Sequence, residues 1–122
     1  IGGAQRVMEL VKLQAEERVQ FGIPVGKFQA VQHHCANILT NYETARVMTW
    51  QAAWLIGQGL PFEQQASMCK VWVSDAHREL VSLAHAVLGG MGFMEEHDMQ
   101  LYFRRAKAAE LHRELLAQAI GL

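Results

Sequence analysis

The sequence contains few residues that would break a helix or cross-link the chain. Only two prolines and two cysteines occur among 122 residues. Cys35 and Cys69 lack the paired spacing of a zinc site, so we interpret both as small buried hydrophobic residues in a reducing compartment. No run of about 18 uncharged apolar residues exists, so the sequence predicts no membrane-spanning segment.

Charge of neither sign is in excess. The formal net charge is −1 and the pI is about 6.6, which argues against nucleic acid and anionic membrane surfaces as partners. Apolar residues make up 51% of the chain, which indicates that another chain or domain covers part of the surface. The opening residues IGGAQRVMEL have no initiating methionine and no signal-sequence pattern, and we expect them to lie inside a longer polypeptide.

The sequence also lacks the usual metal-binding patterns. Four-helix bundles that hold two metals use Glu-x-x-His motifs, and no glutamate here has a histidine three residues later. His77 and His85 are eight residues apart on one helix face, too far to share one ion, and the adjacent His33 and His34 point in different directions. We therefore expect no metal site and interpret the histidines as solvated or hydrogen-bonded structural residues.

The ten glycines are confined to five places, and the two prolines, Pro24 and Pro61, lie in or beside them. These glycine positions are 2–3, 22–26, 57–59, 89–92 and 121. Glycine and proline are poor helix-interior residues and common turn residues, so they divide the chain into segments. The predicted segments are 4–21, 27–56, 60–88 and 93–120.

The second and third segments carry apolar residues at alternating steps of four and three, a pattern typical of helices packed in a bundle. The two seams are Val31, Cys35, Ile38, Tyr42, Ala45, Thr49, Ala52 and Ile56, and Phe62, Ala66, Cys69, Val73, Ala76, Leu80, Leu83 and Val87. Short connections make neighbouring helices antiparallel, and no strand pattern is visible. The sequence predicts one all-α domain, residues 1–122, folded as an antiparallel, up-and-down four-helix bundle.

Two turns carry residues that a plain turn does not require. The apolar seam of the first segment reaches Ala15, and its next position is Arg18. An arginine there either has an anionic partner or reaches solvent at the negative end of the helix. LGGMGF, residues 88–93, either terminates a helix or brings backbone close to a ligand. It is not a Rossmann fingerprint, because a helical pattern precedes it.

RVQFGIPVGKFQAVQH, residues 18–33, followed further along by LGGMGF, resembles the C-terminal domain of the acyl-CoA dehydrogenase family. The resemblance continues through IGGAQRVMEL, GLPFEQQASMCK and LYFRRAK and covers almost the whole chain. Family members are flavoproteins with an N-terminal helical domain and a middle β-domain, both absent from this chain, before the C-terminal bundle. The resemblance implies oxidation of the Cα–Cβ bond of an acyl-CoA thioester to the 2-enoyl-CoA, with FAD as hydride acceptor.

The resemblance implies that six residues lie at the FAD: Arg18, Phe21, Gln29, Ala86, Gly89 and Gly90. The arginine of the family reaches the FAD pyrophosphate, typically of the neighbouring subunit, and the aromatic residue and the glutamine lie beside the cofactor. Backbone at the paired glycines faces the adenosine half. Ala86 stands where the family commonly has a glutamine, so one side-chain contact is missing there.

The resemblance does not identify the catalytic base. Many members have a Tyr-Glu-Gly motif shortly after the RRAK stretch, and here Arg113 lies near where that glutamate would be aligned. Glu110 and Glu114 are nearby but outside that motif, so neither is assigned. Either a loop between Leu111 and His112 is deleted or omitted, or the base lies on a helix that precedes this domain, as in some relatives.

The resemblance favours the FAD-contacting and oligomerising domain of a dehydrogenase, inactive when isolated. It implies assembly as a dimer or tetramer, electron transfer to an electron-transfer flavoprotein, and a cytoplasmic location, or the mitochondrial matrix in a eukaryote. Two alternatives stay open. The chain could be a non-catalytic assembly domain of the same fold, or a subunit that pairs with a catalytic homologue.

Overall fold

The computed structural model describes residues 1–119 and consists mainly of four α-helices. They are α1 (Gly2–Glu17), α2 (Gln29–Gly57), α3 (Glu63–Leu88) and α4 (Met99–Ala119). The prediction of an all-α fold with four helices is confirmed over this range. The predicted glycine break at Gly121 and the end of the fourth segment lie outside the described residues.

The prediction that the chain contains no strand is wrong at one place. Val19–Gln20 (β1) and Ile23–Pro24 (β2) form an antiparallel hairpin in which Val19 lies opposite Pro24 and Gln20 opposite Ile23. The two turn residues have positive φ angles, 55° at Phe21 and 81° at Gly22, which suits the tight turn of a two-residue hairpin. A 3₁₀ turn, Val25–Lys27, then leads into α2.

The fourth helix begins later than predicted. Residues Gly89–Phe93 form a 3₁₀ turn, and α4 starts only at Met99. Nδ1 of His97 accepts the backbone N–H of Met99 at 3.1 Å, which satisfies one of the free N–H groups that every helix start leaves. This short-range bond explains why the helix begins at Met99 and not at the last glycine of the turn.

All four helices contribute to one hydrophobic core. Its most deeply buried large side chains are Val7, Val11, Ile38, Leu80, Val81, Leu88 and Met99. The predicted seams of α2 and α3 are buried or half-buried along most of their length, but Ile56 and Phe62 beside the α2–α3 connection are exposed. The core therefore lies away from that connection, toward the end of α3 that carries Leu88.

Polar contacts join the helices in pairs. Between α2 and α3, Nε2 of Gln65 donates to Oε1 of Gln51 at 2.7 Å, and Thr49 Oγ1 lies 3.6 Å from Cys69 Sγ. Between α3 and α4, the guanidinium of Arg113 donates to both oxygens of Asp75 at 2.8 and 2.9 Å. Because α3 takes part in both sets, it is the helix against which the others pack.

The fourth helix runs without a break across Leu111 and His112. One helix continues there and brings Arg113 to Asp75 on α3. A bidentate pair between a guanidinium and a carboxylate has a defined geometry, so this contact holds the second half of α4 against α3. Whether a loop is deleted or omitted at that point stays a prediction.

Among residues 1–119, no helix combines the length and the apolar character that crossing a membrane would require.

Gly26 is expected to be intolerant of any side chain. A Cβ atom at Gly26 would lie 2.8 Å from the backbone oxygen of Ala15 in α1, whereas a Cβ at Gly57 would meet nothing within 4 Å. Gly26→Ala should lower the free energy of unfolding by about 1–3 kcal/mol, because backbone must move to accommodate the methyl group. Gly57→Ala, the matched control, should be neutral or slightly stabilising. Urea denaturation of both variants measures the difference, and equal midpoints would contradict the close approach.

Candidate functional site

Arg18 lies at the junction between α1 and the hairpin. Its backbone N–H donates to the carbonyl of Gln14 at 3.0 Å, and its carbonyl accepts the N–H of Val25 at 2.8 Å. Its φ of −71° and ψ of 121° are extended, so the helix ends there. Because both backbone groups of Arg18 are bonded, the position from which its side chain starts is well defined.

The side chain of Arg18 reaches the end of α3, 70 residues further along the chain. Its Nη1 donates to the carbonyl oxygen of Leu88 at 3.2 Å. The last carbonyls of a helix have no partner within the helix and carry partial negative charge, so Leu88 is a suitable acceptor for a guanidinium. This hydrogen bond brings the two turns that the sequence singled out into direct contact.

Gly89 makes that contact possible. It has a φ of 62° and a ψ of −142°, a conformation that is essentially restricted to glycine. A Cβ atom at Gly89 would lie 3.3 Å from Nη1 of Arg18. The reading of the glycine-rich turn as a helix terminator is therefore confirmed, since Gly89 ends α3. Close approach of its backbone to a ligand stays a prediction; the neighbour that the structure shows at Gly89 is Arg18.

A cavity of about 520 Å³ opens beside Arg18. It is lined by Gln14, Glu17, Arg18, Gly90 and Met91. A guanidinium has five N–H donors, and the bond to Leu88 uses one of its nitrogens. Within residues 1–119, no carboxylate lies at ion-pair distance from Arg18. The planar guanidinium can therefore donate to two oxygens of a multiply charged acceptor such as a phosphate group.

The predicted site residues fall into two groups. Arg18 and Gly90 line the cavity, and Gly89 lies between them and α3. Phe21, Gln29 and Ala86 do not line it. Phe21 is 94% exposed at the hairpin tip and has an edge-on contact with Phe28, with ring centroids 6.1 Å apart.

Gln29 and Ala86 are exposed residues near helix ends. Gln29 is the first residue of α2, and Ala86 lies in the last turn of α3. In the part of the chain that the structure describes, the side chain of Gln29 forms no hydrogen bond. The structure therefore brings neither residue to the Arg18 cavity, and the roles that the resemblance implies for both stay predictions.

Sequence reasoning missed Gln14. It lies one helical turn before Arg18, on the same face of α1, and lines the same cavity. Its Nε2 is buried and has no hydrogen-bond partner among the described residues. The spacing of four residues was visible in the sequence, but the absence of a partner depends on how α1 packs against the end of α3.

His85 contradicts the interpretation of the histidines as solvated or hydrogen-bonded. Its ring is buried, stacked on Phe93 at 4.6 Å and edge-on to Phe103 at 5.0 Å between centroids. Neither ring nitrogen has a partner in the described part of the chain. Burial lowers the pKa of His85, and the nearby His97 lowers it further. The neutral form is therefore favoured in the folded chain.

A second and larger cavity lies apart from these residues. It has a volume of about 780 Å³, is formed between α1 and the first turns of α2, and includes Met8, Val11, Cys35 and Ile38 in its wall. None of the six predicted site residues lines it. Burial raises the pKa of the Cys35 thiol, which makes that cysteine a poor nucleophile.

The chain is similar in sequence to known proteins. Residues 1–113 match the family model described as acyl-CoA dehydrogenase, C-terminal domain. The chain is 35% identical over 112 residues to bovine mitochondrial short-chain specific acyl-CoA dehydrogenase, covering 92% of this chain and 27% of that protein. It is 33% identical to the acryloyl-CoA reductase (NADH) of Anaerotignum propionicum, covering 92% and 28%.

Solved structures show the same fold. Butyryl-CoA dehydrogenase from Megasphaera elsdenii superposes with a TM-score of 0.86 at 30% identity, over 89% of this chain and 28% of that one. The FAD complex of PigA superposes with a TM-score of 0.84 at 25% identity, over 99% and 33%. The chain thus spans about a quarter of the length of the curated relatives it matches.

The two glycines that follow α3 are expected to differ in tolerance. Gly89→Ala should cost about 1–3 kcal/mol of unfolding free energy, because alanine strains at this backbone conformation and its methyl group approaches Arg18. Gly90→Ala should be nearly neutral, since a Cβ there meets nothing within 4 Å. Thermal unfolding of the two variants checks this, and a Gly90 variant as unstable as the Gly89 variant would contradict it.

The stability of the protein is expected to fall at acidic pH through His85. The unfolded chain takes up a proton near the ordinary pKa of 6.5, whereas the folded chain does so only at lower pH. His85 therefore does not reduce the free energy of unfolding above that pH, and the free energy of unfolding decreases as the pH falls below it. His85→Leu should lose less stability than the parent between about pH 7 and about pH 5, as measured by urea denaturation. Equal slopes for this variant and the parent would refute the assignment.

Proposed function

The chain belongs to the acyl-CoA dehydrogenase family, and on this premise we propose that it is the FAD-contacting and oligomerising C-terminal domain of such an enzyme. The contact of Arg18 with Leu88 and Gly89, beside a cavity, is the observation that carries the proposal. It unites the two motifs for which the resemblance implies FAD contacts. The complete protein would oxidise an acyl-CoA thioester to its 2-enoyl-CoA.

The residues at the cavity fit the diphosphate of FAD. Arg18 supplies a permanent positive charge and several N–H donors. Gly90 has no side chain between its backbone and the cavity, and open space lies where a Cβ would be. When bound, FAD would supply the hydride acceptor for the reaction. The part of this chain would be to bind the diphosphate and to orient the cofactor through the contact of Arg18 with α3.

No catalytic base is proposed from this chain. A general base works best with a pKa near the operating pH. The pKa of Glu110 is instead lowered by a hydrogen bond from Lys107 and by the charges of Lys107, Arg78 and Arg113. Arg113 itself, near where the family's glutamate would be aligned, is paired with Asp75. We propose that the carboxylate that takes the α-proton lies in another domain or another subunit.

The pairing of Arg113 with Asp75 favours a second candidate function. A subunit whose α4 carries an arginine–carboxylate contact in place of the base could assemble with a catalytic homologue that supplies it. Purification of the native protein distinguishes the two proposals. A homologous partner of different sequence would support the second, and a single species that retains flavin and bleaches with acyl-CoA would support the first.

We also propose the up-and-down order of the four helices. Its support comes from contact pairs along α3. A later residue of α3 pairs with an earlier residue of α4, because Asp75 pairs with Arg113 and Arg78 pairs with Glu110. Along α1 the order is the same as along α3, because Gly3 lies near His77 and Arg18 bonds Leu88. This pattern favours α4 antiparallel and α1 parallel to α3.

Self-association through α2 and α3 is part of the proposal. Large apolar side chains are about half exposed along both helices, among them Val47, Trp50, Trp54, Met68, Val71 and Trp72. A cluster of exposed large apolar side chains along two packed helices favours an interface. A dimer or tetramer, acyl-CoA as substrate, an electron-transfer flavoprotein as electron acceptor, and a cytoplasmic or mitochondrial-matrix location follow from the family and stay proposals for this chain.

Replacement of Arg18 tests the cofactor role. Arg18→Met in the intact protein should weaken FAD binding at least about 10-fold, because hydrogen bonds to a charged group are lost. Arg6→Met is the matched control, since Arg6 lies on the same helix but pairs with Glu9 at the surface. Flavin content after gel filtration and FAD titration of the apoprotein are the measurements. Equal flavin retention in the two variants would exclude Arg18 from the site.

A further inference from the structure

One polar side chain at the Arg18 cavity takes part in no hydrogen bond within residues 1–119. Gln14 lines the cavity, yet its Nε2 is buried and unpartnered within residues 1–119. No hydrogen bond among those residues involves its side-chain amide. A buried amide nitrogen without a partner destabilises a folded protein, so no hydrogen bond within residues 1–119 accounts for a glutamine at this position.

The position of Gln14 relative to Arg18 is well defined. Gln14 lies in the last turn of α1 and Arg18 directly follows the helix, four residues later, where the carbonyl of Gln14 accepts its backbone N–H at 3.0 Å. Their side chains therefore leave the helix on the same face, toward the same cavity. An anion that contacts the guanidinium of Arg18 would lie within the space that Gln14 also borders.

The amide of Gln14 is free to present a donor to that space. A half-turn about the last side-chain torsion exchanges its oxygen and nitrogen, and this torsion is broad and roughly two-fold. Because no described hydrogen bond holds the amide in either orientation, the exchange breaks no contact of this kind. The N–H₂ group can then replace its missing partner with an acceptor in the cavity.

We propose that Gln14 is a second binding residue for the diphosphate ester held by Arg18, with its amide donating a hydrogen bond to a phosphate oxygen. The inference rests on the proposed function, which places a diphosphate beside Arg18. Glu17 lines the same cavity, and its carboxylate would repel such an anion. A neutral donor from Gln14 offsets that repulsion without adding a further charge.

Gln14→Met tests the proposal in the intact protein. Methionine keeps the length and helix propensity of glutamine but removes the hydrogen-bonding group. FAD titration of the apoprotein should give a dissociation constant roughly 10- to 100-fold higher than that of the parent, the usual loss for a hydrogen bond to a charged group. The midpoint of thermal unfolding of the apoprotein should be equal or higher, because an unpartnered buried amide is gone.

Gln5→Met is the matched control. Gln5 lies on the same helix, is exposed and bonds only Glu9 among the described residues, through its side chain. This variant should bind FAD as the parent does. A loss of affinity in both variants would trace the effect to the helix as a whole and would overturn the role of Gln14.

Parallel measurement of Arg18→Met separates failure of this inference from failure of the proposed function. Weaker FAD binding in both the Arg18 and Gln14 variants supports the inference. Weaker binding only in the Arg18 variant leaves the proposed function standing and overturns the role of Gln14. Unchanged FAD binding in both overturns both.

Coenzyme A also contains a diphosphate ester, so the flavin-loaded protein should be titrated with coenzyme A alone. Unchanged coenzyme A affinity in the Gln14 variant, together with the loss of FAD affinity, supports the flavin diphosphate as the ligand. A loss of coenzyme A affinity with normal FAD binding would overturn it.

Discussion

The hydrogen bond from Arg18 to the carbonyl of Leu88 is the contact on which the candidate site depends. It joins the end of the first helix to the end of the third, and its geometry requires the glycine that follows. The acceptor is available because a helix leaves its last carbonyls unpaired. A long, flexible side chain is thereby held in one direction by a backbone carbonyl. The position of this side chain in the wall of the cavity is therefore also defined.

Much of this arrangement could be predicted from spacing. The seam of the first segment placed an arginine where an apolar residue belonged, and that misfit pointed to Arg18. The glycines of residues 88–93 predicted either the end of a helix or a close approach to a ligand, because glycine readily ends helices and leaves room beside the backbone. What spacing could not supply was their contact, because it depends on the packing of segments 70 residues apart. The resemblance to a family named both residues but gave no reason for their proximity.

The misses also have physical causes. The hairpin was overlooked because strands of two residues are too short to show alternation, and its glycine and proline read equally well as helix breakers. His85 was misjudged because the last turns of α3 are covered on more than one side. Leu80, Val81, Ala84, His85, Val87 and Leu88 are all buried, more than a single apolar stripe predicts. Gln14 lies beside the seam and not on it, so periodicity assigned it no role.

The Arg18 cavity lies at the carboxyl ends of α1 and α3, whereas many phosphate sites lie at helix amino ends. Two helix ends of negative polarity oppose an anion there, so attraction must come from side chains, and chiefly from one guanidinium. Since that group remains charged at any pH a protein survives, acidity would not discharge it. Dissolved salt would weaken the attraction between Arg18 and an anion, because the field of a partly exposed charge is screened within roughly 10 Å at moderate ionic strength. An anion held in this way is released by salt before it is released by acid.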